Sequence, residues 1–238
     1  MATDINAPKN YQAKCLCVLL LDVSGSMRKP IAESSSIKRI DKLNEAIASF
    51  YDDVVNGKNG VSKQTKGMLE VAIVTFDQEP KLIRAPRLLS RDDKAPVLAE
   101  RGSTTETVAA LDYVINDVIA DRKKFYSDTG QKYYRPWIVL ITDGNPTSSE
   151  ESIEAISKTI KRKVDEKKFT IIGVGVGDAV SMPKLKRLTA NRALPLKEMR
   201  FAQFFSWLSN SMSNIAKSTE DDTIDLTEGM EFWTHYKP

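Results

Sequence analysis

A single histidine, His235, stands three residues from the end of a 238-residue chain. A Ser-His-Asp or Cys-His apparatus, or a zinc site built on imidazoles, therefore has almost no raw material, and histidine chemistry is effectively excluded. Cysteine is nearly as scarce. The two thiols, Cys15 and Cys17, lie two apart in the apolar run Cys15-Leu16-Cys17-Val18-Leu19-Leu20-Leu21. On a strand they share one face without disulfide geometry, so both are expected to be buried and reduced. No uncharged apolar stretch approaches the roughly 18 residues of a membrane span. The first residues, Met1 to Tyr11, carry Asp4, Pro8 and Lys9 and lack the apolar segment of a secretion signal. A cytoplasmic protein is the expectation. Internal repeats and low-complexity tracts are also absent.

What remains is an ordinary globular balance: 41% hydrophobic residues, 28% charged and a net charge of +3, enough for one large domain with a sizeable core. The charge is unevenly placed. Residues 219–238 hold six acids against Lys237, a net of −5, which leaves +8 on residues 1–218. Short apolar runs at Lys14–Leu21, Leu69–Phe76, Trp137–Ile141 and Phe169–Val174 read as interior strands. Between them apolar residues recur at helical spacing: Ile40, Leu43, Ile47, Phe50 and Val54; then Val108, Leu111, Val114 and Val118; then Ile153, Ile156, Ile160 and Val164. A last helix, starting near Met199, carries Phe201, Phe204, Phe205, Leu208, Met212 and Ile215 as a covering face. Strand and helix in alternation predict an α/β fold, doubly wound, with a mostly parallel central sheet and helices on both faces. Lys81–Arg84, after a turn at Gln78-Glu79-Pro80, is expected as one short antiparallel edge strand. The chain divides into an N-terminal extension (1–13), a domain (14–217) and an acidic tail (218–238) with Phe232 and Trp233 as apolar anchors.

The first strand ends in Asp22-Val23-Ser24-Gly25-Ser26-Met27. A carboxylate and two hydroxyls at alternate positions are hard oxygen donors, and a tight loop at Gly25 lets Asp22, Ser24 and Ser26 aim at one centre suited to Mg²⁺ or Mn²⁺. Loops leaving the carboxyl ends of neighbouring parallel strands converge on a crevice, and two others offer similar oxygens. One is Arg101-Gly102-Ser103-Thr104-Thr105-Glu106, ahead of a helix; the other is Thr142-Asp143-Gly144-Asn145-Pro146-Thr147, after a strand. Taken singly, the threonines also read as helix N-caps and Asp143 as an Asx turn closed by Gly144. The three loops together favour a shared site.

These motifs resemble those of the von Willebrand factor A (vWA) family. Asp22-Val23-Ser24-Gly25-Ser26 is similar to its D-x-S-x-S signature, the metal-ion-dependent adhesion site (MIDAS), and Thr142-Asp143-Gly144 to its T-D-G element. The resemblance runs from about Lys14 to Lys217 and includes Gly173-Val174-Gly175-Val176-Gly177 after the fifth strand. Thr142–Thr147 and Phe204-Phe205-Ser206-Trp207-Leu208-Ser209 further resemble the bacterial tellurite-resistance TerY branch. The resemblance implies metal ligation by Asp22, Ser24, Ser26, a threonine and Asp143, directly or through water. Thr105 precedes the helix leucine, Leu111, by six positions as the family's ligand does; Gly102-Ser103-Thr104 also fits the family's G-x-T, so Thr104 stays open. Arg28–Lys38, with Ser34-Ser35-Ser36, lengthens the loop after the signature and is expected in a rim that selects partners. The implied function is non-catalytic: Mg²⁺, with Mn²⁺ or Ca²⁺ as alternatives, keeps an open position that a partner protein's Asp or Glu fills. The TerY likeness implies a bacterial stress-response or defence system with kinase-like or phosphatase-like partners.

Other readings use the same residues less well. A haloacid-dehalogenase-like phosphatase needs an acid two residues after its nucleophile, where this chain has Ser24. A metal-assisted hydrolase lacks a convincing base. Gly173–Gly177 does not have dinucleotide-binding spacing, and the basic stretches Lys158–Lys163 and Lys167-Lys168 lack interleaved aromatics, so nucleic acid is not an expected partner. A metal-independent scaffold role remains an alternative. The acidic tail is expected to dock on a basic face or on the metal crevice and compete with partners. The oligomeric state is not legible.

Overall fold

The computed structural model describes residues 12–32, 35–177, 179–196 and 200–217. The acidic tail 218–238 with Phe232, Trp233 and His235, the extension up to Tyr11, Ser34 of the lengthened loop and the expected helix start at Met199 lie outside the described residues.

Strand β1 (Cys15–Asp22) is buried along its whole length, as an apolar run must be when both sheet faces are covered. On one side it pairs in parallel with β2 (Leu69–Phe76), from Cys15 opposite Leu69 to Asp22 opposite Phe76. On the other it pairs in parallel with β4 (Trp137–Thr142). Strands β5 (Thr170–Val176) and β6 (Ala193–Leu196) continue in parallel beyond β4, and β3 (Pro80–Leu88) closes the opposite edge antiparallel to β2. The order is β3-β2-β1-β4-β5-β6. The doubly wound sheet with one antiparallel edge strand is therefore observed, and that strand is longer than the four residues expected.

Side-chain alternation along β1 splits the core. Cys15, Cys17, Leu19 and Leu21 face α1 (Arg39–Asn56) and α7 (Phe201–Lys217), where Phe50 and Phe205 pack with ring centroids 5.4 Å apart. Leu16, Val18 and Leu20 face the opposite layer. That layer holds a helical run of α3 (Thr107–Tyr113), a π turn (Val114–Val118) and α4 (Ile119–Thr129), followed by α5 (Glu150–Asp165) and α6 (Met182–Leu188). Both thiols are free and fully buried, and burial pushes the Cys15 thiol up to about 12. The basic stretch on α5 faces solvent and is ion-paired along the helix, Lys158 with Glu154 and Arg162 with Glu166. Among the described residues no helix is long and apolar enough to cross a membrane.

Three elements were not foreseen: the short helix α2 (Lys63–Met68), α6 and β6. The glycine run explains how α6 fits. A Cβ on Gly175 would lie 2.7 Å from Met182 Sδ and 2.9 Å from Val180 Cγ1, so a side chain there would crowd the loop and first residue that lead into α6. Two arginines, buried Arg84 and half-buried Arg122, stabilise the far edge and the far end. Arg84 on β3 donates to the carbonyls of Val71, Arg87 and Leu88 where the β2–β3 register shifts, satisfying groups that a bulge leaves unpaired. At the amino end of β2, buried Glu70 accepts from Arg122 and, at 2.5 Å, from the Tyr126 hydroxyl.

Candidate metal centre

β1 connects onward to β2 on one side, while β4 lies on its other side, so the order of winding reverses between β1 and β4. In open α/β sheets such a switch point opens a crevice at the carboxyl ends of the strands. Asp22 is the last residue of β1 and Thr142 the last of β4.

Asp22 is fully buried. Its Oδ1 accepts the Ser24 amide at 2.8 Å and its Oδ2 accepts the Thr142 hydroxyl at 2.6 Å. Burial pushes the carboxyl up to about 6; the Thr142 and Ser24 hydrogen bonds oppose this, and the neighbouring Asp143 charge adds to it. A short 3-10 turn (Gly25–Arg28) follows and brings Ser24 Oγ within 3.0 Å of Ser26 Oγ. Ser26 Oγ in turn donates to Asp143 Oδ1 at 2.5 Å. The Asp143 carboxylate is also fully buried, and its Oδ2 accepts Arg39 Nη1 at 2.8 Å. Asp143 closes no local turn: the Gly144 amide donates instead to the Thr142 hydroxyl at 3.2 Å, which sets aside the Asx-turn reading.

The threonine loop is fastened to both neighbours. The Arg101 amide donates to the Val23 carbonyl at 2.7 Å and the Glu106 amide to the Asp77 carbonyl at 2.8 Å. Thr105 pairs with Thr147 in both directions, the Thr105 amide donating to Thr147 Oγ1 and the Thr147 amide to the Thr105 carbonyl at 3.1 Å. Glu106 accepts the Thr147 and Ser148 hydroxyls, one on each carboxylate oxygen. Neither threonine caps α3, whose N-cap is Glu106 without a side-chain bond. A Cβ on Gly144 would lie 3.1 Å from Thr105 Oγ1 and 3.8 Å from Asp22 Oδ2. Those two distances put the Thr105 hydroxyl no more than 6.9 Å from Asp22 Oδ2, on the same side of Gly144, whose lack of a side chain keeps the space at that point open. Thr104 Oγ1 is instead buried without a hydrogen-bond partner.

All five residues singled out in the sequence, Asp22, Ser24, Ser26, Thr105 and Asp143, thus come together at one crevice. Three partners were missed. Thr142 was read only as part of a motif, Glu106 only as the end of a loop, and Arg39 not at all; each acts through a contact to a loop far away in sequence. Among the described residues no three His, Cys, Asp or Glu side chains converge as a metal-binding group. A cation here would rely on two carboxylates and neutral hydroxyls, an all-oxygen donor set that fits a hard divalent ion and leaves coordination positions for water or an external oxygen.

A family model described as the von Willebrand factor type A domain matches residues 17–215. No curated protein matches the chain. Among solved structures, a von Willebrand factor type A protein from Catenulispora acidiphila is similar at 15% identity and a TM-score of 0.55, over 84% of this chain and 43% of the other. Proximal thread matrix protein 1 from the mussel byssus, solved with a zinc-occupied MIDAS motif, is similar at 14% identity and 0.53, over 84% of this chain and 48% of the other. This chain thus spans under half the length of both. The vWF domain of the pili tip protein Mfa5 from Porphyromonas gingivalis, at 12% identity and 0.55, is covered over 99% of its length by 89% of this chain. At these identities the likeness establishes the fold.

Proposed function

Because the chain belongs to the von Willebrand factor type A family, whose domains commonly mediate metal-dependent protein interactions, we propose that it is a non-catalytic, divalent-metal-dependent protein-binding module. The observation that carries this reading is the pair of fully buried carboxylates, Asp22 and Asp143, linked through Ser24 and Ser26 at the switch point of the sheet. Asp22, Ser24, Ser26, Thr105 and Asp143 would hold the ion. When bound, the ion supplies an open position for an anionic oxygen, and an Asp or Glu of a partner protein completes it. The all-oxygen donor set favours Mg²⁺, with Mn²⁺ or Ca²⁺ as substitutes. A catalytic role would need a base; Glu106, the acid next to Thr105, has both oxygens engaged by hydroxyls, which supports the non-catalytic reading.

The sequence likeness of Thr142–Thr147 and Phe204–Ser209 to the TerY branch supports a place in a bacterial stress-response or defence system, with kinase-like or phosphatase-like proteins as partners. The binding unit in this reading is residues 14–217. A pull-down from the native host, with and without EDTA and with Asp22→Ala, tests the proposal. Loss of the same partner in both conditions is the expected result; retention in both would leave a metal-independent scaffold.

A further inference from the structure

Arg39 is the first residue of α1, and its side chain, 12% exposed, reaches the crevice. One N–H, on Nη1, is bonded to Asp143 Oδ2. Nε is buried with no hydrogen-bond partner. A Cβ on Gly177 would lie 2.7 Å from Nη2, so the chain leaving β5 closes over the other edge of the guanidinium. A half-buried, always-charged and under-bonded arginine is costly to keep. Its position against one of the two carboxylates supplies a reason to keep it.

The charges decide what that reason is. Asp22 and Asp143 alone would bring a divalent ion to zero net charge, and an added carboxylate would leave the filled crevice at −1. With Arg39 fixed beside Asp143, the three side chains sum to −1, the filled crevice to +1, and a single added carboxylate brings it to zero. Other cations nearby do not play this part, because Arg28 and Lys38 are paired with Glu100 and Arg101 with Asp77. Resting on the metal-dependent reading above, we propose that Arg39 is the specificity-determining residue of the crevice. Its fixed charge holds down affinity for the ion alone and couples ion uptake to an anionic oxygen, so that the completing ligand is a carboxylate rather than a neutral carbonyl or hydroxyl.

The test is calorimetric titration of the full chain with MnCl₂ at constant ionic strength, in chloride, in acetate and in acetamide. For the wild type, acetate should raise Mn²⁺ affinity by about tenfold and acetamide should leave it unchanged, a coupling of ordinary size for linked sites. Arg39→Gln should bind Mn²⁺ alone about tenfold more tightly or better and lose the acetate effect, because a like charge has been removed from a site of low polarisability. Arg39→Lys, which keeps the charge, should stay near the wild type in both. A folded Arg39→Gln with unchanged or weaker Mn²⁺ affinity overturns the inference, as does a wild type whose Mn²⁺ affinity is indifferent to acetate; the second result needs no variant to fold. Either outcome leaves the metal site standing as long as Asp22→Asn abolishes the Mn²⁺ heat. A wild type that shows no Asp22-dependent Mn²⁺ binding overturns the metal reading, and this inference with it.

Discussion

Replacing Asp22 by asparagine should make the metal-free protein more stable, not less. The Asp22 carboxyl is raised from an ordinary 3.8 to about 6 by burial. Below pH 4 it is protonated in folded and unfolded chains alike and costs nothing. Between pH 4 and 6 the unfolded chain has released a proton that the folded chain still holds, so stability falls with rising pH. Above pH 6 the loss is complete. A rise of about two units corresponds to about 3 kcal/mol at pH 7.5. Asparagine keeps the shape and stays neutral. The Ser24 amide can still donate to its carbonyl oxygen, while the Thr142 hydroxyl must turn from donor to acceptor, which reduces the gain to about 1–3 kcal/mol. Urea unfolding in EDTA at pH 7.5 measures it, and the same comparison at pH 4 should show the advantage gone. Magnesium should reverse the order: at one thousand times its dissociation constant an ion stabilises the wild type by about 4.1 kcal/mol and the variant by nothing. A variant less stable than the wild type in EDTA at pH 7.5 would refute the reasoning, because ionised Asp22 would then be stabilised by the fold rather than strained by it.

The two adjacent threonines separate cleanly. Thr105→Val should weaken divalent-ion binding by about tenfold, the scale of one lost ligand-shell contact, whereas Thr104→Val, which deletes a buried hydroxyl with no partner, should leave binding unchanged and stability equal or higher; the opposite pattern in calorimetry would move the ligand to Thr104. At the other end of the sheet, Arg122→Met leaves buried Glu70 with the Tyr126 hydroxyl as its hydrogen-bond donor and Lys14 as the nearby cation and should cost about 3 kcal/mol, seen as a lower urea midpoint. A loss smaller than about 1 kcal/mol would place that pair among ordinary surface ion pairs.

The sheet was legible because its interior strands carry little but apolar residues, and β1, β2, β4 and β5 lie within a residue or two of their expected bounds. The crevice was legible for a related reason: a fold of this class puts its ligand loops at the strand ends, and three oxygen-rich loops stood there. What escaped has physical causes. β6 is four residues long with Pro195 inside it, tolerated only because it is an edge strand. The helix α6 is seven residues, too short to show a period. Asp143 could not be told from a turn residue, since the hydroxyl that closes the turn belongs to Thr142. Arg39 carried no local signal, being one of several cations near a helix start, and its role exists only through a residue 104 positions away.

Those separations have a consequence in time. Asp22 meets Thr142 across 120 positions, and Ser26 meets Asp143 across 117. A ribosome adding about 5–20 residues per second spends on the order of ten seconds between the two halves of the crevice. Throughout that interval the emerging chain displays Asp22 and its serines with nothing opposite them. The crevice closes only when β4 docks against β1, and no ligand that needs both carboxylates can engage a half-made molecule. Pairing of the two carboxylates therefore waits on synthesis of the chain through β4 and the loop that follows it.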